Sequence, residues 1–451
     1  VYPMCSGFSR SDEPPALPIN EELDVVGKRT LRYDARQKVT GAAKYTADIN
    51  LPGMLYAKFL RSPYPHARIR SIDVSAARAH PGVHAVHILG AEPAGSVEKD
   101  PGHASPADRY DGDNLPRCRY VGQPIAAVAA ESQQIANEAA RLIDVRYKEL
   151  PFVIDLDEAR QEGAPLVFEE KVEQELSGGD VGDSVGGRQQ GNLRGPTTGS
   201  FYGGPRGDVE KGFAEADLIV EGEYRTQVQT HCALETHGVV ADWKPDMLTV
   251  YASTQSTKSV RNDLAELFDL PKTKVRVLTE YMGAGFGAKF GAGNYGVTAC
   301  WLSKKAGRPV KLMLDREEEH TMTGNRPNSY QKLRIGAKQD GTLTAIDQLS
   351  YGTAGVGLGA GVGRIAQDMY DCPNFRTEQY DVFTHAGPGA AFRAPGNVQG
   401  AFALEQAIDE LAEKLDLDPL ELRDRIDPSV IRRLERRQGA AKFGWQRRKP
   451  G

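Results

Sequence analysis

The stretch that most constrains this chain is a glycine-rich turn, Gly283-Ala284-Gly285-Phe286-Gly287-Ala288-Lys289-Phe290. Residues 274–279 before it alternate in polarity and carry β-branched side chains, as a half-buried strand does. After it, Val297, Cys300, Trp301 and Leu302 recur at helical spacing. The order is strand, glycine turn, helix. Glycine at such a place lets the backbone take positive φ and bring bare N–H groups up to a ligand, while a helix start adds partial positive charge. The arrangement suits an anionic cofactor, although a plain tight turn would read the same way from this stretch alone.

At 451 residues the chain is long for one domain, and two or three are expected. A composition of 40% hydrophobic and 26% charged residues is that of a globular protein, and 48 glycines imply many turns. The formal net charge of -5 argues against nucleic acid as a partner. Five cysteines (Cys5, Cys118, Cys232, Cys300 and Cys372) contain no C-x-x-C pair. That spacing argues against a disulfide scaffold, a zinc knuckle or an iron–sulfur cluster on this chain, and it favours a reducing, cytoplasmic setting. No apolar run is long enough to span a membrane, and residues 1–4 do not open a secretion signal.

Residues 1–26 are Pro-rich and read as an extended arm. Residues 27–150 read as a compact α/β domain, with strands near 54–60, 67–74, 83–89 and 125–128. A helix is expected over 131–143, with Ile135, Ala139 and Leu142 on one face. Residues 151–207 form a Gly-rich linker or mobile loop. A second domain over 208–431 has strands at 217–224, 248–252 and 309–314, and a helix burying Val260, Leu264, Leu267 and Phe268 that Pro271 stops. Residues 330–337 and 342–349 form a hairpin through Asp340-Gly341. The longest helix, 396–415, buries Leu404, Ile408, Leu411 and Leu415. Residues 432–451 are a basic tail or interdomain linker, and there is no internal repeat.

Three segments share one pattern: residues 254–256, the glycine turn and residues 387–396. Each ends a strand-like run and precedes a helix-like one, so each offers backbone N–H groups and a polar side chain at a helix start. Converging, they would make an anion pocket; apart, they are three surface turns. A further cluster, His231-Cys232-Ala233-Leu234-Glu235-Thr236-His237, would put His231, Glu235 and His237 on one strand face, as a metal site or as buried structural groups.

Taken together, the motifs resemble the molybdenum-binding subunit of the xanthine dehydrogenase/aldehyde oxidase family. The resemblance rests on the glycine turn, on Ser253-Thr254-Gln255, on the A-F-R-x-x-G-x-x-Q run from Ala391 to Gln399, and on Leu415-Asp416-Leu417-Asp418-Pro419. In the first domain it is carried by Val39-Thr40-Gly41-Ala42-Ala43-Lys44-Tyr45-Thr46-Ala47-Asp48, Arg61-Ser62-Pro63-Tyr64-Pro65-His66-Ala67 and Tyr120-Val121-Gly122-Gln123-Pro124-Ile125-Ala126. It implies an α+β fold, an a/b hammerhead domain followed by the first of two molybdopterin-binding domains. It also implies hydroxylation of a carbon next to a heteroatom with oxygen from water. Molybdenum on a pterin, expected as the cytosine dinucleotide, does the chemistry, and electrons leave through 2Fe-2S and FAD centres. With no clustered cysteines and no flavin-binding segment here, those centres are expected on an Fe-S subunit and an FAD subunit. A non-catalytic scaffold or assembly subunit of the same fold is the rival reading.

Carried over residue by residue, the resemblance puts Gln255 near a metal oxo ligand or the pterin, and Gly285, Phe286 and Gly287 with backbone N–H groups on the cofactor. Phe286 would shape the pocket. Arg393 would lie across the metal with its backbone N–H near the dithiolene, Phe392 would pack beside it, and Gln399 would bond within the cofactor shell. Arg364 is a weaker candidate for substrate contact. The family holds molybdenum through the pterin, so the cluster of residues 231–237 is expected to be structural. Purine-oxidising members carry a glutamate where this chain has Phe290, which favours an aldehyde or an aromatic heterocycle over xanthine. The carbon monoxide branch is disfavoured because its cysteine-bearing loop has no counterpart. The family's general-base glutamate belongs to the second molybdopterin domain, and none fits the role here: Glu405 and Glu410 are helix positions and residues 317–319 read as a solvated charged run. Either the sequence is a fragment, or the gene is split and a further chain carrying that second domain is a partner, without which the subunit would be inactive; the split is favoured because the break falls at a domain boundary.

Overall fold

In the computed structural model the described residues are 23–90, 109–111, 115–168, 188–197, 204–357, 359 and 361–447. The alternating run near residue 55 forms the strand Leu55–Arg61, and its pairing decides how the chain assembles. One edge pairs antiparallel with Pro124–Ala130, which pairs in turn with Val83–Ile88. The other edge lies parallel to Val310–Met313, with Leu55 opposite Val310. From there the sheet continues through Gly238–Trp243 and Leu248–Ala252 to Val275–Leu278. One seven-stranded sheet thus joins the segments read as two domains. Pro124–Ala130 is buried at every position, as a strand covered on both faces must be. The helix Gly293–Ala306 follows the glycine turn and packs Ala299, Cys300 and Leu302 onto this sheet, ending at Gly307 in the left-handed cap.

A second sheet has the order Leu218–Thr226, Ser329–Ala337, Leu343–Gly355, Phe375–Phe383, Leu193–Thr197, Arg188–Gln190. Its central hairpin turns through Gly341 at φ +89, where the Asp340-Gly341 signal placed it. The helix Asn397–Lys414 covers it, with Leu404, Ile408 and Leu411 fully buried. Each such side chain contributes roughly 1.5–3 kcal/mol of burial. A third, small sheet gathers Arg109–Asp111, Arg117–Cys118 and Asp144–Glu149 around Ala67–Asp73.

Four expectations are corrected. The helix near 131–143 spans only Gln133–Arg141; its buried face is Ala136, Ala139 and Ala140, and Leu142, one position past the last turn, is 44% exposed. The stretch read as a linker contributes the helix Leu156–Ala159, capped by Asp155, and two strands of the second sheet. Arg194 there meets Asp381 at 2.6 Å with both side chains buried, which ties the stretch into the core; residues 169–187 and 198–203 lie outside the described residues. The basic tail forms the helix Val430–Phe443, because Asp424 and Asp427 supply counter-charges to Arg432, Arg436 and Arg437. Residues 317–319 are not a solvated run: Glu318 and Glu319 are 1% and 2% exposed in the helix Arg316–Met322. Residues 1–22 of the expected arm lie outside the described residues.

Where the first segment meets the second sheet, the His66 and His385 rings meet at 4.1 Å, tilted by 34°. His385 Nδ1 accepts the Val153 N–H at 3.2 Å. Burial, and then the neighbouring His66, push the His385 imidazole down to about 4. A cleft of about 360 Å³ opens beside this pair, walled by Phe152, Ile154, Val121 and Gly387.

Candidate cofactor site

The strand Leu248–Ala252 delivers Ser253, Thr254 and Gln255 to the helix Thr257–Leu267, whose N-cap Ser256 accepts from Ser259 N–H. Gln255 binds the glycine turn twice over. Its Oε1 accepts Gly287 N–H at 2.8 Å and Lys289 N–H at 3.4 Å. Its own N–H donates to the Lys289 carbonyl at 2.7 Å, which also receives Thr254 Oγ1 at 2.8 Å. With the amide oxygen so engaged, Nε2 faces away as a donor pair, and no acceptor for it occurs among the described residues.

Close approach explains the glycines. A Cβ on Gly285 would run into Gln255 Oε1, and one on Gly287 would meet the Ala391 carbonyl at 2.5 Å. Between them Ala284 and Phe286 are held at φ +77 and +54, and Ala394 in the third corner at φ +58. Left-handed non-glycine residues cost on the order of 1–3 kcal/mol each and persist only where surroundings enforce them. The enforcing contact here is Arg393 N–H, which donates to the Phe286 carbonyl at 2.7 Å and clamps the third corner to the second. The rings of Phe286 and Phe392 lie parallel at 6.1 Å, and His231 stacks on Phe392 at 4.5 Å. All three corners converge.

Beneath them lies a buried polar layer. Lys289 is fully buried; its Nζ donates to the Glu235 carbonyl at 2.7 Å, the Thr236 carbonyl at 3.3 Å and Ser253 Oγ at 2.7 Å. Burial pushes the Lys289 ammonium below its ordinary value, against the opposing pull of Glu235 and Glu319. The Glu235 carboxylate accepts Gly283 N–H at 2.6 Å, Ser253 Oγ at 2.9 Å and, from the first segment, Thr46 N–H at 3.2 Å. His237 donates from Nε2 to the Ala288 carbonyl at 3.1 Å and sets Nδ1 at 3.0 Å from Glu319. Burial raises the Glu319 carboxyl, but the His237 hydrogen bonds and charge outweigh it and hold Glu319 below the usual range. On the other side Arg326 donates to the Arg393 carbonyl at 2.8 Å and to Gln399 at 3.0 Å, with its guanidinium 4.6 Å from the Phe392 ring centre.

Placement sorts the expected site residues. Gln255 and Arg393 are exposed, Phe286 is 40% exposed, and Phe392 and Phe290 are half-buried. The N–H groups of Gly287 and Arg393, expected on the cofactor, are used within the protein, whereas those of Gly285 and Phe286 have no acceptor among the described residues. Gln399 is not at the ligand face: it is 2% exposed and wedged between Arg326, Pro327 and Gln331, where it supports the corner. Arg364 turns back along its own helix to Asp368 at 3.6 Å.

The cluster of residues 231–237 cannot gather around a metal. His231 Nε2 donates to the Ala391 carbonyl at 2.7 Å, both ring nitrogens of His237 are engaged, and Glu235 serves three donors. Sequence reasoning passed over Arg326, Lys289 and Thr46 as supporting groups. A lysine inside a glycine turn was a signal; the contact from Thr46 crosses 189 residues and leaves none.

Exposed Gln255 and Phe286 and buried Gly285 carry donors without an acceptor among the described residues, and these donors, flanked by aromatic rings and Arg393, fit an anionic or oxygen-rich group.

Comparison with known proteins agrees. Residues 196–426 match the molybdopterin cofactor-binding domain, and residues 40–151 match the aldehyde oxidase and xanthine dehydrogenase a/b hammerhead domain. The aldehyde oxidoreductase molybdenum-binding subunit of Escherichia coli is 32% identical over 443 residues, covering 95% of this chain and 55% of that protein. The nicotinate dehydrogenase large molybdopterin subunit of Eubacterium barkeri is 31% identical over 416 residues, covering 90% of both chains. Quinoline 2-oxidoreductase from Pseudomonas putida 86 superposes with a TM-score of 0.74 at 29% identity, over 89% of this chain and 50% of that one. The chain spans about half the length of most relatives it matches, 44% to 55%, and nine-tenths of the Eubacterium subunit. It belongs to the xanthine dehydrogenase/aldehyde oxidase family of molybdenum hydroxylases, as a molybdenum-binding subunit.

Proposed function

We propose that the three corners form one half of the seat of a molybdopterin cofactor, in its cytosine dinucleotide form, and that the chain works in oxidative hydroxylation of an aldehyde or an aromatic heterocycle. The observation that carries this reading is the set of donors with no acceptor among the described residues, Gln255 Nε2 and the Gly285 and Phe286 N–H groups, brought together by saturated contacts beneath. When bound, the cofactor supplies the oxygen transfer from water and takes up the electron pair. Gln255 holds a hydrogen-bond acceptor of the cofactor in a fixed direction. Phe286 and Phe392 exclude water and orient a planar substrate, and Arg393 places positive charge at the rim. Phe290 offers no hydrogen bond to a purine's polar edge, and leaving such a group unmatched costs about 1–3 kcal/mol.

Among the described residues no carboxylate at the site is free to take a proton. Glu235 serves three donors and Glu319 is locked to His237. The base therefore comes from a second molybdopterin-binding domain, on another polypeptide or on further residues, and turnover requires it. Fe-S and FAD subunits carry the electrons away, in the cytoplasm; no helix among the described residues is long and apolar enough to cross a membrane. The test is to purify the chain with its natural partners and measure molybdenum, oxidised-pterin fluorescence and hydroxylation. Near-stoichiometric metal with aldehyde or heterocycle turnover is expected. A stable complex devoid of molybdenum and pterin would leave the scaffold reading, and faster turnover of xanthine than of any aldehyde would overturn the substrate assignment.

A further inference from the structure

The seven-stranded sheet ends on Val275–Leu278. The inner edge of this strand pairs in parallel with Leu248–Ala252, from Leu248 opposite Val275 to Tyr251 opposite Leu278, and its outer edge meets no described strand. Along it runs an open groove of about 580 Å³, bounded by the first turns of the helix Thr257–Leu267 and lined by Lys258, Arg261, Lys272, Val275, Arg276 and Val277 among others. No carboxylate lines it. Lys274, exposed, flanks it.

These five cations are clustered without counter-charges. Among the described residues none of them makes an ion pair or a side-chain hydrogen bond, and Arg261 Nε is buried without a partner. Elsewhere clustered arginines are neutralised in place: Arg376 by Asp347 and Glu210, Arg423 by Glu405 and Asp409, Arg436 by Asp424 and Asp427. The chain as a whole is negative, at -5, whereas the charged side chains lining the groove are all positive. Unneutralised like charges repel one another and attract an anionic surface. The bare strand edge presents a row of unpaired N–H and C=O groups, a template for another strand.

We propose that this groove docks an acidic, extended segment of a partner polypeptide, which adds to the sheet as an eighth strand beside Val275–Leu278 and sets its carboxylates against Lys258, Arg261, Lys272 and Arg276. A nucleic acid or free phosphate would satisfy the cations but not the strand edge, so the two features together select a polypeptide. Arg276 projects on one face of the strand, and Val275 and Val277 on the other, against the helix that carries Lys258 and Arg261, so cations flank the edge from both faces. Thr257, two residues beyond Gln255, lines the groove, so the docked segment abuts the helix that begins at the first corner of the cofactor site.

The experiment uses the complex purified with its natural subunits. Amine-reactive labelling compares Lys258, Lys272 and Lys274 with exposed Lys148 in the same sample, and carbodiimide joins lysines directly to touching carboxylates. The expected result is labelling of the three lysines suppressed about fivefold or more relative to Lys148, carbodiimide links from them to Asp or Glu of a second chain, and slowed hydrogen exchange over residues 275–278. Charge reversal, K258E with K272E, is expected to weaken the complex about tenfold or more at low salt while the thermal midpoint of the full chain is unchanged. Labelling equal to that of Lys148, links only to this chain's own carboxylates, or fast exchange over residues 275–278 in the complex would each overturn the proposal. Lysine labelling does not read the cofactor, so a complex lacking molybdenum would refute the proposed function and leave this result standing.

Discussion

The ligand face of the site and the layer beneath it are built on opposite terms. On the face, Gln255 and Arg393 are exposed, Phe286 is strained, and two backbone N–H groups lack acceptors. Beneath, Lys289, Glu319, Arg326 and Gln399 are nearly inaccessible, and Lys289, Glu235 and Glu319 each have several partners. Unpaired donors and left-handed residues cannot hold their positions alone, and the satisfied polar layer holds them. Damage to the lower layer should therefore appear as lost stability, and damage to the face as lost cofactor.

The largest effect is expected from Glu235→Ala. It removes the acceptor of Gly283, Ser253 and Thr46 and leaves the buried Lys289 ammonium without its carboxylate. Breaking a buried charge pair from one side costs about 3–5 kcal/mol, and urea unfolding of the full chain reads it directly. A loss below about 1 kcal/mol would mean the layer does not hold the turn. Gly287→Ala comes next. Its Cβ would press on the Ala391 carbonyl at φ +113, so the second and third corners must separate, with about 1–3 kcal/mol lost and molybdenum retention abolished.

The contrast also explains what could be read without coordinates. The helix Asn397–Lys414 was legible because Leu404, Ile408 and Leu411 repeat at helical spacing, and the glycine turn because its neighbours change period from strand to helix. The face residues Gln255, Phe286 and Arg393 were legible through local motifs. The lower layer was not. Glu318 and Glu319 look like a solvated run until Lys58 and His237 reach them from distant strands, and Gln399 looks like a ligand group until Arg326 takes its oxygen. The joining of both segments into one sheet through Leu55 and Val310 likewise depends on a pairing 255 residues apart, which no local period encodes.

The His66 and His385 pair at the seam predicts a graded response to acid. The His385 imidazole, depressed to about 4, binds its proton more weakly in the folded chain than in the unfolded one. Stability is therefore highest above the ordinary histidine value near 6.5 and is lost as pH falls from there toward about 4. Glu319, held low by His237, adds a loss as pH falls below the ordinary carboxylate value of 4.5. Thermal midpoints measured between pH 7.5 and pH 4.5 should flatten in His385→Gln, and an unchanged slope would remove the seam from the account. The smallest effect on stability belongs to Gln255→Ala, since the side chain is exposed: about 0.5–1 kcal/mol, against a large loss of bound molybdenum. Equal losses of both would erase the distinction between face and support.

If the amides of Gly285 and Phe286 meet the cofactor, hydrogen exchange over residues 283–290 must differ between molybdenum-loaded and molybdenum-free complex of the same subunits. Exchange is expected to slow about tenfold or more on loading, localised to Gly285 and Phe286, with Gly287 slow in both states because Gln255 already holds it. Unchanged exchange at Gly285 and Phe286 in a fully loaded complex would contradict it.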